Sequence, residues 1–196
     1  MKTKTLLSST LALGLIILSS CATRTVTRID PDKQTDVSGR WNDTDNKIVA
    51  EDMVAQSIDK NWRTEFEKLK TRKPVVIVGR IKNNTSEFID PIAIIKQIES
   101  AYVNSGKVRV VATADERKEL REEREDQQIF ASEESRKKWG KEKGADFMLN
   151  GVLYSVTDEY KKDKIVAYQV DFELIDLETN EKVWMGQSKI KKEIKN

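Results

Sequence analysis

Three arrangements in the sequence have the residue types and spacing for chemistry. The first is Asp43 and Asp45, a D-x-D pair of the kind that can hold a divalent cation. It follows Asn42 at the head of an apolar periodicity, where an N-cap and an acidic first helical turn account for both carboxylates. The second is S-x-x-K, which sets an amine one helical turn from a serine nucleophile, and which occurs twice, as Ser57 with Lys60 and Ser135 with Lys138. Neither is followed by a K-T-G or S-D-N segment, and a chain with 35 lysines and arginines produces such matches by chance. The absence of histidine removes Ser-His-Asp hydrolysis, imidazole metal sites and the commonest general base. With no G-x-G-x-x-G or G-K-[ST] loop either, the expectation is a non-enzymatic protein without metal or cofactor.

The third arrangement centres on Cys21, the one cysteine of the chain. Lys2 and Lys4 precede an apolar run over residues 6–18, and the small residues Ser19 and Ser20 follow it. This is the charged, apolar and cleavage-site order of a secretory signal peptide over residues 1–20. A membrane-spanning helix needs roughly 20 apolar residues, more than this run provides. Leu18-Ser19-Ser20-Cys21 resembles the lipobox of bacterial lipoproteins. The resemblance implies a diacylglyceryl group on the Cys21 sulfur, cleavage before it and acylation of the new amino terminus. It also implies an address: Ala22 rather than Asp follows the cysteine, which points to the periplasmic face of the outer membrane. The plainer alternative is a signal peptide that happens to contain a cysteine. Removing residues 1–20 takes Lys2 and Lys4 from 35 basic residues and leaves 33 against 33 acidic ones, so the basic excess gives no reason to expect nucleic acid.

The elements that would position these residues follow from periodicity. Residues 22–36 are rich in Thr, Asp and Arg without apolar period, and read as a disordered tether spanning at most roughly 50 Å. The N-cap types Asn42, Asp43 and Thr44 precede apolar residues recurring from Ile48 to Leu69, which predicts a helix over 44–69 with a possible break near Trp62. A buried strand is expected over 75–81. Asp90-Pro91 and Gly106 bracket a helix over 91–104. A strand over 108–113 comes next, then one or two solvated helices over 115–143 ending at Gly144. From residue 146 the period changes to two, predicting strands over 147–158, 165–177 and 182–194 joined by turns. The pattern is α+β: a mixed, mainly antiparallel five-stranded sheet flanked by helices on one or both faces, closed by a three-stranded meander. One globular domain spans 37–196.

A further resemblance appears in Ser38-Gly39-Arg40-Trp41-Asn42-Asp43-Thr44-Asp45 followed by Val49-Ala50-Glu51-Asp52-Met53. These segments resemble the opening signature of the LpoB family, lipoprotein activators of peptidoglycan synthases. Val78-Gly79-Arg80-Ile81-Lys82-Asn83, Gly144-Ala145-Asp146-Phe147-Met148-Leu149-Asn150-Gly151, Leu174-Ile175-Asp176-Leu177-Glu178-Thr179 and Val183-Trp184 match the same family in order, over roughly 37–192. The resemblance implies a fold like the amino-terminal domain of TolB. It also implies a partner, a bifunctional class A penicillin-binding protein whose glycosyltransferase and transpeptidase activities the lipoprotein stimulates. The candidate partner-binding residues are Arg40, Trp41, Asn42, Asp43 and Asp45. Trp41 either packs under the domain or serves as an aromatic anchor, and packing is the stronger expectation. The rival reading is a structural or self-assembling envelope lipoprotein with a TolB-like domain.

Overall fold

The computed structural model describes residues 25–31, 33–137 and 140–195. The chain divides into two units, Met1–Lys33 and Gln34–Asn196. In the first, the described residues form neither helix nor strand. The signal peptide and Cys21 lie outside the described residues. Residues 34–36, expected to belong to the tether, are part of the second unit instead. Asn42 Nδ2 donates to Thr35 O at 3.1 Å and to Asp36 Oδ1 at 2.9 Å, which binds this stretch to the folded domain.

Helix α1, Asp43–Ser57, starts from a capping box: Asn42 accepts from the Asp45 amide, and Asp45 accepts from the Asn42 amide. It does not continue to residue 69 as one helix. The chain breaks over residues 58–60 and resumes as α2, Asn61–Lys70, with Lys60 extended at φ −96°. The break is stable because α2 satisfies the carbonyls that α1 leaves open. Trp62 Nε1 donates to Ser57 O at 2.9 Å and Arg63 Nε to Ile58 O at 2.8 Å. The kink also lets Trp62 and Phe66 meet Phe147 edge-on, with ring centroids 5.0 and 5.3 Å away.

Strand β1, Val75–Asn83, leads to α3, Pro91–Ser105. The expected proline start and glycine stop of α3 are both present: Asp90 caps the Ile92 amide, and Gly106 adopts φ +65°. Strand β2 is only Arg109–Val110, against an expected 108–113, because Thr113 is already the N-cap of the next helix. That helix, α4, runs over Ala114–Phe130 and buries no residue. No second helix follows it among the described residues up to 146. The return segment lies along α4 through polar contacts instead: Gln128 donates to Lys137 O at 2.9 Å, and Glu142 receives a two-pronged Arg121 guanidinium at 2.8 Å, with Arg117 and Arg124 at 3.6 and 3.5 Å.

Strands β3 (Phe147–Tyr160), β4 (Asp163–Asp176) and β5 (Lys182–Ile194) form the expected antiparallel meander. The sheet order is β2-β1-β3-β4-β5, with β1 parallel to both neighbours. The fold is α+β, a mixed five-stranded sheet flanked by helices. Alternation along the meander turns Phe147, Leu149, Leu153, Val166, Tyr168, Val170, Phe172 and Leu174 to one face, all nearly inaccessible. Against them pack Val49, Met53 and Val54 of α1 and Ile94, Ile98 and Tyr102 of α3. Burying each such side chain contributes about 2 kcal/mol. Helices α1, α2 and α3 supply the cover of this face, and the opposite face is half-buried and mixed, with Met148, Val152 and Ile175 among Asn150, Gln169 and Asp171.

Candidate functional site

The segment that opens the domain is fixed by one buried cation. Lys192, on the inward-facing register of β5, donates to Asp36 Oδ1 at 2.6 Å, to Arg40 O at 2.9 Å and to Asp45 Oδ2 at 2.7 Å. All three ammonium protons are used. Burial raises the Asp45 carboxyl above its ordinary value, against the opposing pull of Lys192 and Asn42. Lys192 itself is held above the usual lysine value: burial works to lower it, and its hydrogen bonds to Asp36 and Asp45 outweigh that. Asp36 is held low, chiefly by its bond to Lys192.

Gly39, at φ +68°, turns the chain so that Trp41 enters the domain. Its indole Nε1 donates to Asn46 Oδ1 at 2.6 Å, and the ring stands edge-on to Tyr168 at 5.3 Å. The expectation that Trp41 packs under the domain holds, with the ring part-buried against the core. Glu87 ties this end to the loop after β1, its carboxylate accepting from Trp41 N at 3.2 Å and from Tyr168 OH at 2.5 Å. Burial, reinforced by Glu87, pushes the Tyr168 phenol well above its ordinary value. A cavity of 420 Å³ opens beside this knot, lined in part by Gly39, Arg40, Glu87, Phe88, Thr157 and Lys164.

The candidate residues therefore divide by role. Asn42 and Asp45 hold the helix start and Lys192, Trp41 packs, and Arg40 and Asp43 are exposed. Periodicity pointed to none of Glu87, Phe88, Tyr168 and Lys192 as parts of this site. Lys192 alone left a signal, a lysine on the inward register of an alternating strand. The S-x-x-K serines have other employment. Ser57 Oγ is buried 2.9 Å from Tyr102 OH, while Lys60 lies exposed in the helix break. Burial pushes the Tyr102 phenol up to about 12. Ser135 is bonded to Ser132 at 2.8 Å, and Lys138 lies outside the described residues. Among the described residues no three His, Cys, Asp or Glu side chains cluster so as to hold a metal ion, and no helix is long and apolar enough to cross a membrane.

Residues 45–190 match the family model of the peptidoglycan-synthase activator LpoB. The chain belongs to the LpoB family. The matched span starts at the buried Asp45 and ends two residues short of Lys192, so it takes in the whole sheet and all four helices found among the described residues apart from the first residues of α1 and the end of β5. Among solved structures, the LpoB C-terminal domain from Escherichia coli aligns at 15% identity and a TM-score of 0.46, covering 74% of this chain and 98% of that one. Lipoprotein GNA1162 from Neisseria meningitidis aligns at 13% identity and a TM-score of 0.40, covering 62% and 84%. The PelC dodecamer from Paraburkholderia phytofirmans aligns at 18% identity and a TM-score of 0.31, covering 61% and 73%. No curated protein matches the sequence.

Proposed function

We propose that this LpoB-family protein is a non-enzymatic regulator that binds a bifunctional class A penicillin-binding protein and raises its glycosyltransferase and transpeptidase rates. The family match over residues 45–190 carries this reading. The Cys21 thiol carries the lipid anchor on the periplasmic face of the outer membrane, and residues 22–33 link it to the domain. The synthase meets the end of the domain where Arg40 and Asp43 are exposed; Asn42, Asp45 and Trp41 hold that end in shape. A regulator of this kind needs a rigid recognition surface rather than a reactive group, and the knot around Lys192 supplies the rigidity.

The test is reconstitution. The purified protein is added to the purified class A synthase of the same cells, and polymerisation and cross-linking rates are measured with and without it. A several-fold rise in both, surviving Ser57→Ala and Ser135→Ala, is the expected result. No binding and no change in rate, with the protein recovered only in complexes with itself, would replace this reading by envelope self-assembly.

A further inference from the structure

We propose that Phe88 is the apolar anchor by which the protein docks onto its synthase, seating in an apolar pocket whose rim carries a carboxylate; this rests on the activator reading above. Phe88 is 101% exposed, more than any other large apolar side chain described. Single exposed apolar residues are common on protein surfaces and need no explanation by themselves. What separates Phe88 is the construction of the loop beneath it.

Asn83 Nδ2 donates to Glu87 O at 2.9 Å and to Ile89 O at 3.3 Å, so one side chain grips the backbone on both sides of Phe88. Asn83 Oδ1 accepts from the Thr85 amide at 2.9 Å and hydroxyl at 2.8 Å, and Thr85 Oγ1 accepts from the Glu87 amide at 3.1 Å. On one flank the Glu87 carboxylate is held by Trp41 and Tyr168. On the other, Ile89 is buried in the core. Both neighbours of Phe88 are thus fastened inward, and the ring between them cannot fold down onto the domain. Of the other strongly exposed apolar residues, Val26 and Val37 precede α1, Leu69 lies in the last turn of α2, Ile129 and Phe130 in that of α4, Val156 and Met185 lie within strands β3 and β5, and Tyr160 is beside the β3–β4 turn.

A rigid aromatic on an ordered loop binds at low entropic cost, because the ordering has already occurred on folding. Aromatic and arginine side chains are also the types that most often dominate interface energetics. Arg40 and Lys164 line the cavity next to Phe88, while the one carboxylate there, Glu87, is engaged by two donors. The charge that such a rim favours in a partner is negative, hence a carboxylate beside the pocket that takes the ring.

The experiment titrates the purified class A synthase with the full-length protein in detergent and compares Phe88→Ala, Phe88→Leu, Arg40→Glu and Phe130→Ala with the wild type. Phe88→Ala should weaken binding at least tenfold with an unchanged thermal midpoint, since its side chain supports nothing in the fold. Phe88→Leu should retain most of the affinity, Arg40→Glu should lose several-fold, and Phe130→Ala should bind like the wild type. Wild-type binding with Phe88→Ala within twofold of it overturns the anchor and leaves the activator reading standing. A wild type that does not bind the synthase overturns both. Loss of self-association in Phe88→Ala, measured by sedimentation with synthase binding intact, assigns the ring to a second copy of this chain and also overturns the proposal.

Discussion

Helices α1 and α4 begin with the same device. Each opens on a reciprocal capping box, Asn42 with Asp45 in one and Thr113 with Glu116 in the other, and each carries two acidic residues in its first turn. Their fates differ. α1 buries Val49, Ala50, Met53 and Val54 beneath the sheet, whereas α4 buries nothing over 17 residues and is attached by ion pairs to Lys96 and Glu142. Local chemistry is sufficient to start a helix in both places. What decides whether the helix joins the cooperative core is the apolar stripe behind the cap, because most helical stability in proteins comes from packing. Exposed ion pairs hold far less.

The comparison can be broken at its strongest point first. Lys192→Met leaves Asp45 buried without its cation and should cost about 3–5 kcal/mol in global stability, read from urea denaturation. Adding Asp45→Asn to the same chain should recover part of that loss. Next come the two caps. Asn42→Ala should lower global stability by about 1 kcal/mol, while Thr113→Ala should leave the global midpoint unchanged and appear only as faster amide exchange across residues 114–130. Equal shifts of the midpoint in both variants would mean that α4 belongs to the cooperative unit and that the contrast is false.

Acid gives a third, smaller test. The bond from Lys96, with help from Thr113, holds the Glu116 carboxyl down to about 2. Its folded value lies below the unfolded one, so its contribution is complete above the ordinary glutamate value and is lost as pH falls toward 2. Exchange in α4 should therefore quicken over that window while the meander stays protected. The smallest effect belongs to Glu142→Gln, expected to leave the urea midpoint almost unchanged and to be mimicked by raising salt. A large loss of global stability in that variant would show that the return segment is part of the core.

Legibility followed the same divide. Strand β5 and the caps of α3 were readable to the residue, because alternation, Asp-Pro and a closing glycine are local signals. The break at 58–60 was placed only approximately, because it depends on Trp62 and Arg63 reaching back to α1 carbonyls. Of the one or two helices expected over 115–143, one forms among the described residues, since little of the described return segment has an apolar surface to cover. The site was half legible. Arg40 to Asp45 could be singled out by resemblance, but the Lys192 knot joins residues 147 positions apart in the chain, and the bracing of Phe88 emerges only when Asn83 and Thr85 fold back on their own loop.

Lys192 has a mechanical consequence. Its ammonium grips the chain at residues 36, 40 and 45, so a pull applied at Gln34 is stopped by strand β5 before it reaches the body of α1. Peeling the first helix from the sheet requires the lysine to let go first, and a buried charge lets go abruptly. Tension from the leading segment is thereby arrested at the rim of the domain, and the surface around Arg40 and Phe88 keeps its shape under load.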